Sequence, residues 1–290
     1  MSLDRFPHLA QRLFNTPLAI TPGKIEVVMA ALADRFVISH LFRANGTQVS
    51  MMEDDDGDWG TPAWMLPSEV VQGVMVIRTE GTLVHKLGTL QPYCGMTGYD
   101  GIRSNLVSAW ENPDVRGIML HVDSPGGEVS GAFDLADLIH ANRGRKPIWA
   151  ILDESAYSAA YALASACDRI TVPRTGGTGS VGVICAHVDF SKALSEAGIA
   201  VTLITYGSHK GEGNEYEPLP DAVRERFQAD VDRMGDLFVE TVARNRGLPT
   251  SKVRKTEAGT YMGRLGVEVG FADAVMAPDE AFRSLLAELG

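Results

Sequence analysis

Between Gly73 and Arg174 the chain alternates short β-rich runs with runs of helical period, and glycines mark the exchanges. The runs GVMVIRTEG, VRGIMLHVD, PIWAILD and RITVPR read as strands, and GYDGIRSNLVSAWEN, GAFDLADLIHANR and SAAYALASA between them read as helices. Repeats of this kind bury a parallel sheet beneath helices, so the fold class is α/β. Further on, VGVICAHVDF and AVTLITYG predict two more strands, one on each side of a helix over SKALSEAG. A long helix is then expected from about Asp221 to Asn245, where Val223, Phe227, Val231, Met234, Phe238 and Val242 recur at steps of three and four.

Residues 1–71 have a different texture and are expected to form an N-terminal extension, with the main domain at 72–290. Ile25, Val28, Met29, Leu32 and Phe36 follow a helical period, and Pro22 is placed to open the helix. The stretch MMEDDDGDWGTP after it reads as an acidic linker. It is not a calcium loop: with Gly57 as the turn glycine, Met52 and Ala63 would take ligating positions that neither can fill.

The composition of the 290 residues, 45% hydrophobic and 22% charged, suits a globular chain with a substantial core. A formal net charge of −11 argues against a nucleic-acid partner, whose phosphates require clustered Lys and Arg. No apolar run approaches the roughly 18 residues of a membrane span, and the N-terminus has no secretory pattern, so a soluble cytoplasmic chain is expected. Cys94, Cys167 and Cys185 lack metal-ligand spacing and are expected to be reduced thiols.

Two strand-to-helix junctions carry chemistry-bearing residues. In HVDSPGGEVSGAF, Pro125 is expected to end a strand, and Gly126 and Gly127 leave backbone N–H groups uncovered by side chains. That suits either a tight turn or an oxyanion donor. In LDESAYSAAYALASACDRI three serines compete. Ser158 stands where the helix begins, with the Ala159 N–H beside it. Ser155 reads as a turn or N-cap hydroxyl, and Ser165 as a helix hydroxyl bonded back to the backbone. A nucleophilic serine needs a base, and two residues are candidates. His187 follows a predicted strand. Lys210 lies in the glycine-bounded GSHKG and can act only when neutral, which requires lowering its reference pKa of about 10.4.

Four pieces in order, DSPGG, SAAYALASACDRI, TGSVGVI and GSHKG, resemble the serine–lysine peptidase family of signal peptide peptidase A, relatives of the ClpP and crotonase fold. Ser158 stands ten residues before Asp168, Ser180 twenty-two residues after Ser158, and Lys210 ends the G-x-H-K element. The resemblance implies Ser158 as nucleophile, Lys210 as general base, and Ser180 as the residue orienting the lysine. It also implies an oxyanion hole from Ala159 and Gly127 or Gly126, with no metal or other cofactor. LQPYCGMTGYDGI, GSHKGEGNEYEPLPDAVRERFQ and PLAITPGKIEVVMAALADRF are similar to the head-maturation, or capsid-assembly, proteases of lambdoid phages within that family. This implies a homo-oligomer with sites near subunit interfaces and a capsid, portal or scaffold protein as substrate. The setting would be the host cytoplasm or a procapsid. A ClpP-like Ser-His-Asp site through His187, an acyl-CoA enzyme of crotonase type, a cellular peptide-degrading enzyme and a non-catalytic assembly protein are the alternatives. The family often has glycine directly after the nucleophile, where this chain has Ala159.

Overall fold

The computed structural model of the protein describes residues 16–24, 69–87 and 95–290. The helix expected after Pro22, the acidic linker and Cys94 lie outside the described residues, although Pro22, Gly23 and Lys24 are themselves helical. Ten described strands form one sheet: β1 (Leu18–Ile20), β2 (Glu69–Val71), β3 (Val74–Val84), β4 (Met96–Gly98), β5 (Gly117–Glu128), β6 (Ile148–Tyr157), β7 (Arg169–Val172), β8 (Gly177–Gly179), β9 (Thr260–Met262) and β10 (Ala274–Val275). The path β10-β7-β6-β5-β3 is parallel, and β2 closes its far edge antiparallel to β3. The expected α/β class with a largely parallel sheet is the one observed.

Helices α1 (Tyr99–Glu111), α2 (Ala132–Ala141) and α3 (Ala159–Ser165) lie in the crossovers, followed by α4 (Ser191–Glu196), α5 (Asp221–Arg246), α6 (Thr250–Arg254), α7 (Arg264–Val269) and α8 (Pro278–Leu289). Alternation along each strand sorts the sheet's two faces. Ile118, Leu120 and Val122 of β5 and Ile148, Ala150 and Leu152 of β6 join the main core beneath α1, α2, α3 and α5. Met119, Trp149 and Ile151 point the other way, against Ala281 and Leu285 of α8. His121 and Asp123 continue that second face as polar residues.

The small side chains of α3 let it lie flat between sheet and helices, so every one of its residues is buried. Its last carbonyls would be orphaned there. Arg143 meets them: its Nε donates to Ala166 O at 2.8 Å, and its Nη2 to Ser165 O at 2.9 Å and Cys167 O at 2.7 Å. Asp168 anchors the start of β7, with Oδ2 accepting the Ile148 N–H at 2.9 Å. Arg246, at the end of α5, pairs with Asp273 at 2.7 Å, and Asp273 in turn accepts the Ile170 N–H.

Two expected strands are absent. Residues 181–190 are irregular apart from isolated bridges at Ile184, which pairs with Leu18, and at Ala186, and 200–207 form no strand. The second run has an apolar sequence but pairs with no described strand, and Ile199, Val201, Leu203, Ile204 and Tyr206 are exposed. Pro125 does not end its strand either, because β5 continues through both glycines to Glu128 while pairing with β1 and β3.

Candidate active site

Strands β5 and β6 each serve two sets of partners. Their first halves pair with each other up to Val122 and Leu152. A register shift follows, after which Ser155, Ala156 and Tyr157 pair with β8, and Gly126 to Glu128 pair with β1. This splaying opens the carboxyl end of the sheet, where α/β folds place their sites.

Ser158 stands at that opening, between the end of β6 and the first turn of α3. Its backbone has φ 53° and ψ −122°, a conformation that L-residues avoid and that costs on the order of 1–3 kcal/mol. Surrounding bonds hold it there. The Ser158 N–H donates to Gly179 O at 2.9 Å, and its carbonyl accepts the Ala162 N–H at 3.0 Å, starting the helix. The residue is 1% exposed, and its hydroxyl donates to Gly182 O at 3.4 Å.

The glycine pair forms the opposite wall. Gly126 has φ +102°, and a Cβ there would stand 2.9 Å from Ser158 Cβ and 3.1 Å from Ala159 N. A Cβ on Gly127 would lie 1.8 Å from Leu83 O, so only glycine lets β5 lie against β3 at that point. Ser124 fastens the turn, its hydroxyl donating to Gly81 O at 2.6 Å and accepting the Gly126 N–H at 3.2 Å. With the Gly126 N–H engaged, Gly127 is the better placed donor of the two.

Ser180 is buried beside this turn, also with a left-handed φ of 55°, and its N–H donates to Gly259 O at 2.9 Å. Its hydroxyl makes no hydrogen bond among the described residues. The structure thus brings Ser158, Ala159, Gly126, Gly127 and Ser180 together. Lys210 is not with them: it is exposed in the irregular segment after Gly207, and its ammonium makes no hydrogen bond or ion pair among the described residues. His187 is half-buried in the segment that contains Gly182, and it is not the partner of the Ser158 hydroxyl.

The other two serines have different places. Ser155 is a strand residue paired with Gly177, its N–H donating to Asp123 Oδ1 at 3.3 Å, rather than a turn hydroxyl. Ser165 bonds back to Ala162 O at 2.7 Å, as expected of a helix hydroxyl, and accepts from Asn245. Cys167 and Cys185 are free thiols, and burial pushes both above the usual thiol range. Sequence reasoning missed Ser124, although it stands inside DSPGG, and it missed β1, although LAI lies between two prolines like a short strand.

A strained serine at a strand-to-helix turn of a parallel sheet, facing a bare glycine pair, is the arrangement of serine hydrolases among α/β proteins, peptidases included. Residues 140–290 match peptidase family S49, and the chain belongs to that family. It is 40% identical over 289 residues to capsid assembly protease C of Escherichia phage lambda, an alignment covering 96% of this chain and 65% of that protein. It is also 40% identical over 282 residues to head-tail preconnector protein GP5 of Enterobacteria phage P21, covering 94% of this chain and 56% of that one. The chloroplastic serine protease SPPA of Arabidopsis thaliana is 24% identical over 204 residues, covering 70% of this chain and 30% of that protein. The chain therefore spans less than two thirds of the length of both phage relatives. Among the described residues no helix is long and apolar enough to cross a membrane.

Proposed function

We propose that the chain is a serine endopeptidase of phage capsid assembly, its peptidase unit spanning residues 72–290 and its substrate a capsid, portal or scaffold protein in the host cytoplasm or a procapsid. The observation that carries the reading is the strained Ser158 held against Gly126 and Ala159 N. Ser158 Oγ attacks the peptide carbonyl while neutral Lys210 takes its proton. The N–H groups of Ala159 and Gly127 hold the oxyanion. Lys210 passes the proton to the leaving amine, and water then releases the acyl group with the lysine again as base. Ser180, whose hydroxyl makes no hydrogen bond among the described residues, steers the ammonium.

Lys210 reaches this site through assembly. It follows the exposed apolar run Ile199 to Tyr206, in which Ile204 is 96% and Tyr206 101% exposed. A second copy covering that run would bury it and bring a lysine loop toward a neighbouring Ser158. Phe227, Val231 and Met234 on the first half of α5 are only half-buried, which fits the same homo-oligomer.

A fluorophosphonate probe with mass spectrometry tests the nucleophile, the expected result being a single adduct on Ser158 that is lost in Ser158→Ala. No adduct on Ser158 in the assembled protein, or an adduct elsewhere, would overturn it. The base is tested by mixing Ser158→Ala with Lys210→Ala chains, each inactive alone. Regained peptide cleavage in the mixture supports a lysine given by a neighbour. Full activity of Lys210→Ala together with loss in His187→Ala would make the histidine the base instead.

A further inference from the structure

Ser158 is 1% exposed, yet a nucleophile of the kind proposed must meet an extended peptide. What lies over it is the chain's own N-terminal strand. β1 runs antiparallel to β5 with Leu18 opposite Glu128, Ala19 opposite Gly127 and Ile20 opposite Gly126. Its other edge is paired too: the Leu18 N–H donates to Ile184 O at 2.7 Å, and the Ile184 N–H to Leu18 O at 2.9 Å. The Thr21 N–H donates to Pro125 O at 3.1 Å. The strand is thus held on both edges, by Leu18 on the Ile184 side and by its pairing with residues 126–128 on the other, which is how peptides are bound when they add to a sheet.

The register sets one bond of this strand at the candidate chemistry. Leu18 turns its backbone groups to Ile184, so Ala19 turns its own toward the glycine pair. Ala19 O lies 2.2 Å from the point where a Gly126 Cβ would stand, and Ser158 Cβ and Ala159 N lie 2.9 and 3.1 Å from the same point. Ala19 O, Ser158 Cβ and Ala159 N thus crowd one point beside Gly126, which on this reading is where the carbonyl of a bound peptide would lie. The Ala19 side chain is 0% exposed, so this position takes a methyl group and has no room for a long side chain.

We propose that Pro17–Thr21 is a built-in occupant of the peptide cleft, which fills the substrate's place until it is displaced. This rests on Ser158 as the nucleophile and deepens that reading. Substrates enter as extended peptides between residues 126–128 and Ile184, with a small residue at the position of Ala19. Because the open form is a minor population, apparent affinity for a competing peptide is reduced by the fraction that is open.

The test uses the full chain, a fluorescein-labelled peptide of residues 16–23 and a fluorophosphonate. Ala19→Glu places a charge where none can be solvated and expels the strand. The expected result is peptide binding about tenfold or more tighter than by the unaltered chain, and faster labelling of Ser158. A folded Ala19→Glu that binds the peptide no better would overturn the proposal. Hydrogen exchange on the unaltered chain answers the question even if that variant fails to fold. Leu18 and Ile184 amides exchanging about a hundredfold faster than Leu120 support a displaceable strand, and exchange only by global unfolding refutes it. Gained peptide binding with no Ser158 adduct in either form would leave the occupant in place and overturn the nucleophile alone.

Discussion

The Ser158 N–H bonds to the carbonyl of Gly179, the residue before Ser180, and both serines carry left-handed backbone angles of 53° and 55°. One backbone bond therefore ties the candidate nucleophile to the residue proposed to steer its base. The strain is paid for by the surrounding sheet, as at other sites where geometry is imposed on a reactive group. Ser158→Gly relieves that strain and is expected to raise thermal stability by about 1 kcal/mol, or roughly 2–4 °C, after the entropy cost of glycine. Ser158→Ala keeps the strain, and both variants lose probe labelling. Calorimetry of the two variants side by side checks this; a glycine variant less stable than the alanine one would show that the turn is relaxed.

The two glycines should fail differently when given a methyl group. At Gly127 the obstacle is the Leu83 backbone within the central sheet, and Gly127→Ala is expected to cost about 3 kcal/mol or more. At Gly126 the nearest obstacle, Ala19 O, is on a strand that can leave, and what remains is the φ of +102° with Ser158 Cβ at 2.9 Å and Ala159 N at 3.1 Å, rather than the backbone of the central sheet. Gly126→Ala should therefore retain more stability than Gly127→Ala while releasing the protection of the Leu18 amide. Denaturant unfolding of both variants decides the order.

Exposure of Ile204 and Tyr206 predicts that activity depends on assembly. Ile204→Asp with Tyr206→Ser should sediment as a single chain and lose peptide cleavage. Specific activity of the unaltered protein should fall on roughly hundredfold dilution, as mass action requires. Constant specific activity across that range would argue for a site complete within one chain.

Glu80 and Asp123 stand close together on the open face of the sheet and should respond to pH in opposite senses. The His121 imidazole, with Nδ1 3.6 Å from Glu80 Oε1, holds the Glu80 carboxyl below its ordinary value, against the effect of burial. Its contribution to stability is present above the unfolded value and lost as pH falls through the lowered one, so Glu80→Gln should destabilise at neutral pH and less so in acid. Desolvation pushes the Asp123 carboxyl up, opposed by the Ser155 N–H and aided by the charges of Asp153, Glu154 and Glu80. Its contribution is complete below the ordinary 3.8 and lost as pH rises through the raised value. Asp123→Asn should therefore stabilise the protein at pH 7, with the gain vanishing below about 3.8. Thermal unfolding between pH 3 and 8 checks both signs, and a gain that persists in acid would rule out an electrostatic origin.

Local pattern determined the α/β class and the core strands and helices, because periodicity is a short-range property, while Ser158 was preferred among its competitors through the family resemblance. Val223 to Val242 marked α5 in the same way, and Gly247 ends that helix in a left-handed turn. What depends on pairing was not legible locally. The run at 200–207 has the composition of a strand but pairs with no described strand, while Leu18 to Ile20 pairs with β5 and bridges to Ile184. Hydrogen bonding between strands is a contract between distant segments, and only the tertiary structure shows which segments meet. It likewise decided that Gly127 rather than Gly126 has its N–H free of Ser124, and that Lys210 stands apart from the serine it was expected to serve.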